Sequence, residues 1–232
     1  MNEQIVYYGY SNDIDRPHGM FNGKEPTLAL KEFLDDASEV GFLKCPAYKD
    51  FMANVFAVGS WFNLELVVEH NGLRSEVPQK FIDSYIKTHS DKRKVYQILQ
   101  EAMFIAKGDS LEMTQEQASM SDNGFTKGCS VISGTFDIGR HFRLVSPAFF
   151  IRQGVNNINI KEDDSLYYIR FHTKKRIKLV PFFMSPKFEA LTRNLSFKKD
   201  GNSYKPLDYY YKLFKKKNLK RLLIEEIEKN LL

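Results

Sequence analysis

Apolar and polar positions alternate with a period of two where Phe62, Leu64, Leu66 and Val68 interleave with Asn63, Glu65, Val67 and Glu69. That is the pattern of a half-buried strand. Asn71-Gly72 follows at once, and both residues tolerate positive φ. The pattern therefore predicts a hairpin of 62–69 with 73–77, its apolar set buried and Glu65 and Glu69 in water. Further strands are expected over 131–136, 142–151, 155–160, 166–172 and 177–183. Turn residues at Asp122-Asn123-Gly124, Gly154 and Asp163-Asp164-Ser165 separate several of them. Strands this closely spaced, with no helices between them, predict antiparallel pairing.

Elsewhere the period is that of a helix. Pro26 suits the first turn of a helix through TLALKEFLDDASEV, where Leu30, Phe33, Leu34 and Ala37 share a face and Gly41 ends the run. Over 91–101, Val95, Ile98, Leu99 and Ala102 fall on one side and predict a second helix. Pro206 opens LDYYYKLFKKK, and Asn218 is a candidate N-cap for LKRLLIEEIEKNLL. In this last helix Leu219, Leu222, Leu223, Ile227 and Leu231 form one apolar stripe, and Glu225 and Lys229 stand as an i,i+4 pair. The first 25 residues scatter Tyr7, Tyr8, Tyr10 and Phe21 among Gly, Asn, Asp and Pro, which suits an irregular segment. The expected fold is α+β, mainly antiparallel β of jelly-roll or sandwich type, with an N-terminal helix and a C-terminal helical pair. A body of 1–205 would carry basic, amphipathic helices over 206–232.

Composition supports a packed body. Of 232 residues, 43% are hydrophobic and 14% aromatic, too many for a disordered tail. The longest nearly apolar stretch, Met52 to Phe62, is broken by Asn54, Gly59 and Ser60 and falls short of the ~18 residues a spanning helix needs. The N-terminus shows no basic start followed by an apolar run, so no secretory signal and no membrane partner are expected.

Charge changes the picture more than composition does. The net of +5 hides a net of +12 over 174–221, against a net of −5 over 1–173. Lys212, Lys215, Lys216, Lys217, Lys220 and Arg221 concentrate that charge beside Tyr204, Tyr209, Tyr210, Tyr211 and Phe214. A basic, aromatic end points to a polyanion, either nucleic acid or an acidic protein surface. Solvated lysines on an amphipathic helix would leave the same pattern. The Leu219 to Leu231 stripe is too apolar to stay exposed, so the body or another chain must cover it. The lysine run 215–217 resists burial and suits a hinge, which favours self-association or a protein partner through the terminal helix.

Candidate chemistry gathers at Asp137, Arg140, His141 and Arg143, with Arg170 and His172 two strands later. Three uses fit those residue types. The arginines could hold carboxylates such as Asp137, Asp163 or Asp164 in bidentate pairs. They could instead line a pocket for a phosphate or nucleotide, as a small-ligand binder or hydrolase would. His141 and His172 could also meet across a barrel as metal ligands of cupin type. The four-residue gap from Asp137 to His141, across Gly139, argues against that site, so no metal and no cofactor are expected. The chain lacks G-x-S-x-G, a Walker loop, G-x-G-x-x-G and H-E-x-x-H. Cys45 and Cys129 have no histidine near in sequence and read as reduced, buried thiols. His18, His70 and His89 stand in polar, turn-like surroundings, and Trp61 opens the alternating strand as a core or interface residue.

Four blocks resemble, as a set, proteins encoded by large tailed bacteriophages of marine and other aquatic bacteria: FLKCPAYKDFMANVFAVGSWFNLEL (42–66), GTFDIGRHFRLVSPAFFI (134–151), INIKEDDSLYYIRFHT (158–173) and PLDYYYKLF (206–214). The resemblance implies a phage origin and a place in the bacterial host cytoplasm or the virion. It implies no chemistry. The expectation is a non-enzymatic binding or assembly protein, either a minor virion component or a factor turned on the host. A nucleotide-binding protein and a nucleic-acid-binding accessory factor are the alternatives.

Overall fold

A computed structural model of the chain describes residues 3–10, 26–29, 45–90, 92–99, 102–193, 206–216 and 218–232. Among these, in chain order, lie β1 (Glu3–Tyr10), β2 (Thr27–Leu28), β3 (Val55–Gly59), β4 (Leu64–Glu69), β5 (Gly72–Arg74), β6 (Ile86–Ser90), β7 (Val95–Ile98) and β8 (Ala102–Ala106). β9 (Glu112–Gln117), β10 (Cys129–Val131), β11 (Gly134–Asp137), β12 (Arg143–Val145), β13 (Ala148–Ile151), β14 (Asn157–Ile160), β15 (Ser165–Phe171) and β16 (Arg176–Pro181) follow. The helices are α1 (Pro46–Met52), α2 (Gln79–Tyr85), α3 (Gly124–Gly128), α4 (Pro186–Arg193), α5 (Leu207–Lys216) and α6 (Leu219–Glu228). The fold is mixed α+β and rich in strands, as expected.

The strands form four sheets, ordered β12-β8-β1-β16, β10-β13-β7-β6, β11-β9-β15-β3-β2 and β14-β4-β5. All pairings are antiparallel except β1 with β16, where Glu3 lies opposite Arg176 and Tyr8 opposite Pro181. One large core takes a face from every sheet: Tyr8 and Phe104, Tyr96 and Phe149, Phe56 and Tyr167, Leu64 and Leu66. The first sheet is buried on both sides. Val6, Tyr8, Ala102, Phe104 and Ala106 face the large core, whereas Tyr7, Met103 and Ile105 face Phe142, Phe182, Phe188, Phe214, Leu223 and Ile227. α4, α5 and α6 are thus the third layer over that sheet, and they set the position of the site.

The hairpin forms one residue away from its expected turn. Glu69 pairs with Gly72, so His70-Asn71 make the loop and Gly72 takes the positive φ of 142°. Leu64 and Leu66 are buried, Glu65 and Glu69 are exposed, and Phe62, ahead of the strand, packs on Phe81 and Tyr85. The later strands also form, though 131–136 is cut into β10 and β11, and 142–151 into β12 and β13 around Pro147.

Three expectations are corrected. Residues 95–98 are a strand, because Tyr96 and Ile98 alternate inward between neighbours β6 and β13; the i, i+3, i+4 spacing of Val95, Ile98 and Leu99 is coincidental. The first residues are not irregular, since β1 is an inner strand with Val6, Tyr7 and Tyr8 buried. Thr27-Leu28 do not open a helix but pair with Ala57 and Phe56 as β2. Leu30, Phe33, Leu34 and Ala37 lie outside the described residues. The C-terminal helical pair is present as expected. Asn218, however, links its helices in the left-handed conformation (φ 50°), and its side chain makes no cap bond.

Candidate functional site

The site begins with a turn that the sequence fixes locally. β11 ends at Asp137, whose Oδ1 accepts from the backbone N–H of Leu111, Gly139 and Arg140 at 3.2, 3.0 and 3.0 Å and whose Oδ2 accepts from the Ser110 hydroxyl at 2.9 Å. A carboxylate so committed to its own turn is a scaffold, not a free base. At Gly139 an added Cβ would stand 2.5 Å from the Ser110 Cα and 2.7 Å from the Leu111 N, so only glycine allows the two loops to touch.

α6 closes the turn from the other side. The Lys220 ammonium donates to the carbonyls of Gly108 and Gly139, the latter at 2.7 Å. Burial holds the pKa of this amine below the ordinary lysine value, with the carboxylates of Asp109 and Asp137 opposing the shift. α5 packs alongside. The Tyr211 hydroxyl accepts the Asp137 N–H at 3.1 Å, and the Arg140 guanidinium lies 4.7 Å above the Tyr211 ring.

A cleft of about 620 Å³ opens here, lined by Asp109, Arg140, Tyr211, Lys212, Lys215 and Lys220, with Gly139, Phe214 and Asn218 in its walls. Four cations meet one carboxylate. Lys220 is engaged with its carbonyls, and Lys212 reaches Asp208 at 2.6 Å across the helix surface, a pairing of two exposed side chains that contributes little. Lys215 and Arg140 are exposed and have no carboxylate within salt-bridge distance among the described residues. Over 212–221 the chain has six Lys and Arg and no Asp or Glu, so the cleft is a positive concavity with an aromatic wall. Lys216 is exposed on the same helix, Arg221 pairs with Glu225 at 3.7 Å, and Lys217 lies outside the described residues.

The sequence's arginine and histidine cluster is divided between two places. His141 is 2% exposed, its ring centroid 4.5 Å from that of Phe142 and 4.7 Å from that of Phe214, with Nδ1 against the Phe142 carbonyl. It belongs to the core beneath α5. Arg143 sits on β12 opposite Phe104, with its side chain outside the described residues. Arg170 and His172 line a different cleft with Asp50, Phe51, Asn54 and Glu116. There Arg170 grips Glu116 through Nε at 3.1 Å and Nη2 at 2.7 Å and lies 3.9 Å over the Phe51 ring. The carboxylate partner is Glu116, not Asp137, Asp163 or Asp164. Asp164 instead caps its own turn by accepting the Lys161 N–H at 2.8 Å.

His172 Nε2 stands 2.6 Å from the Thr114 hydroxyl, which in turn is 2.8 Å from Thr135. His141 and His172 therefore do not share a site, and no group of three His, Cys, Asp or Glu poised for a metal occurs among the described residues. Cys129 is buried, its thiol pushed up to about 12 by desolvation, whereas Cys45 is exposed, contrary to the expectation of two buried thiols.

The terminal stripe is also divided. Leu223 and Ile227 are fully buried on the body and Leu219 packs beside them, while Leu222 (39%) and Leu231 (46%) remain exposed. Glu225, expected to pair with Lys229, faces Arg221 instead. What sequence reasoning missed is the convergence of Arg140 with Tyr211 and Lys215, which no local spacing announces. Asp137-x-Gly139 was the available signal, an Asx turn that presents Arg140 outward.

No family model, curated protein or solved structure matches the chain.

Proposed function

We propose that this chain is a non-enzymatic binding protein whose working surface is the basic cleft between the 137–141 turn and the α5–α6 junction, and that its partner is a polyanion. The observation that carries this reading is Arg140. An exposed guanidinium with no carboxylate partner among the described residues, laid on an aromatic ring in a cleft that Lys215 and Lys212 also line, is arranged to receive an anion. The same geometry offers a hydrolase little, because Asp137 is committed to its turn and His141 to the core.

The setting we propose is an infected bacterial host or the virion; the resemblance of the four sequence blocks to phage proteins is what suggests it. Assembly with a protein partner or a second copy would use exposed apolar residues of the terminal segment: Leu222 on α6, or Leu231, whose bridge to Phe182 sets it beside the exposed Phe183. The sheets are read as layers of a distorted sandwich of jelly-roll kind, supported by the one large core to which all four contribute.

The test is the salt dependence of binding to immobilised polyanion. With about three phosphate contacts, log K should fall with log salt at a slope between about −2 for a single strand and about −3 for a duplex. Lys215→Glu should abolish retention at moderate salt, and Arg140→Ala should flatten the slope by about one contact. Retention unchanged by both substitutions would remove the cleft from the function.

A further inference from the structure

We infer that the polyanion is single-stranded nucleic acid and that Tyr209 is the platform on which its bases stack. The inference rests on the polyanion reading above and adds a ligand class to it. α5 divides its aromatic residues sharply. Tyr210 and Phe214 turn into the core at 7% and 1% exposure, whereas the adjoining Tyr209 is 46% exposed. Its ring stands edge-on to Tyr210, with centroids 5.4 Å apart and planes at 87°, and nearly half of the residue is open to water.

Lys212 and Lys216 follow Tyr209 at i+3 and i+7 and share its face. Tyr209, Lys212 and Lys216 thus share one face of α5, and Lys212, which also reaches Asp208, joins that face to the concavity that holds Arg140 and Lys215. A single strand needs those elements together: a π-face for an unpaired base and cations at successive phosphates. A duplex keeps its base faces inside the helical stack and cannot use Tyr209. An acidic protein surface would meet the lysines and leave the ring without a stacking partner. Because every base has a π-face, the site should tolerate any sequence.

The test compares three probes by fluorescence anisotropy with the full-length chain: a labelled oligothymidylate of about sixteen nucleotides, a duplex of equal length, and poly-glutamate as competitor. The single strand should bind about tenfold tighter than the duplex at equal salt. Tyr209→Ala should weaken single-strand binding about tenfold and leave duplex binding unchanged, and Tyr209→Trp should restore it. Tyr209 is about half exposed and outside the core, so an unchanged melting temperature will show that the variants are folded.

Equal affinity for duplex and single strand, or a Tyr209→Ala variant that binds the single strand normally, overturns the inference and leaves the polyanion reading standing. Displacement by poly-glutamate as effective as by oligonucleotide assigns the cleft to an acidic protein and overturns the inference too. Absence of salt-dependent binding to all three probes overturns both.

Discussion

The Lys220 ammonium donates to the carbonyl of Gly139 across 2.7 Å, so the first turn of α6 is bound to the same turn that presents Arg140. Binding surface and helical layer are therefore one mechanical unit. Replacing Gly139 with Ala forces a methyl group against the Ser110 and Leu111 backbone, which cannot yield as a side-chain end would. The expected cost is about 1–3 kcal/mol, read by denaturant melts. Polyanion affinity should fall along with stability, because Arg140 moves with the turn.

A second polar fastening ties the far end of α6 to the sheet and should appear in the acid limb of stability. Glu228 accepts from Lys107 at 2.7 Å and from the Tyr7 hydroxyl at 2.9 Å, and Glu226 accepts from Ser185 at 2.7 Å with Lys187 at 3.0 Å. These bonds hold both carboxyls below the ordinary glutamate value, through Ser185 first for Glu226 and through Lys107 first for Glu228. A group depressed in the folded state adds stability above its unfolded pKa and loses it as pH falls through the folded one. Melting temperature should thus decline as pH drops below about 4.5. Glu226→Gln should lower it at neutral pH and flatten that decline. A variant whose acid limb matches the parent's would show that the carboxylate contributes nothing.

Leu66, 1% exposed within the large core, tests the hairpin. Leu66→Ala should cost about 2–5 kcal/mol, whereas Val67→Ala, on the exposed face of the same strand, should change stability by less than about 0.5 kcal/mol.

The β4–β5 hairpin was legible because its inner face is core and its outer face is water, which is the condition that writes alternation into a sequence. β8 was not. Ala102 through Ala106 are all buried, since helices cover one face of the strand and the large core the other, and a run that is apolar throughout carries no period. β1 was hidden for a related reason: its partners lie in β8 and β16, and its tyrosines precede a polar stretch that masks them. At the site, the basic run 212–221 and Arg140 were each visible, but their meeting depends on how α5 lies over the sheet. His141 misled because imidazole beside arginine reads as chemistry, while four aromatic rings around it, from Phe142, Tyr210, Tyr211 and Phe214, make it core.

The covering of α6 by the body predicts the behaviour of a truncation. Leu223 and Ile227 are fully buried against the face that carries Tyr7, Met103, Ile105 and Phe142. Ile227→Ala should therefore cost about 2–5 kcal/mol, and deletion of 218–232 should give a chain that aggregates or melts far lower. Light scattering on the full-length protein reports separately whether Leu222 and Leu231 pair molecules. A truncated chain that stays folded would place the stabilising contacts of α6 in another subunit.

The two thiols should differ in reactivity. At about pH 8 an aromatic disulfide reagent should titrate Cys45 alone in the native protein, and Cys129 only after unfolding. Two fast equivalents would mean that the β10–β13 region opens readily.

The parallel pairing of β1 with β16 bears on how the chain acquires its shape. Residues 3–8 find their partners at 176–181, a separation that makes loop closure slow and raises contact order. β1 must wait for β16, and β8 is its one earlier-formed neighbour among the described residues. Folding should therefore be late and concerted, and refolding from denaturant should show β1 docking in the slowest phase that is not proline isomerisation. Until then the apolar faces of β8 and β1 are open to other nascent copies, so yield on expression should depend on temperature and chaperone supply more steeply than the stability of the finished molecule would suggest.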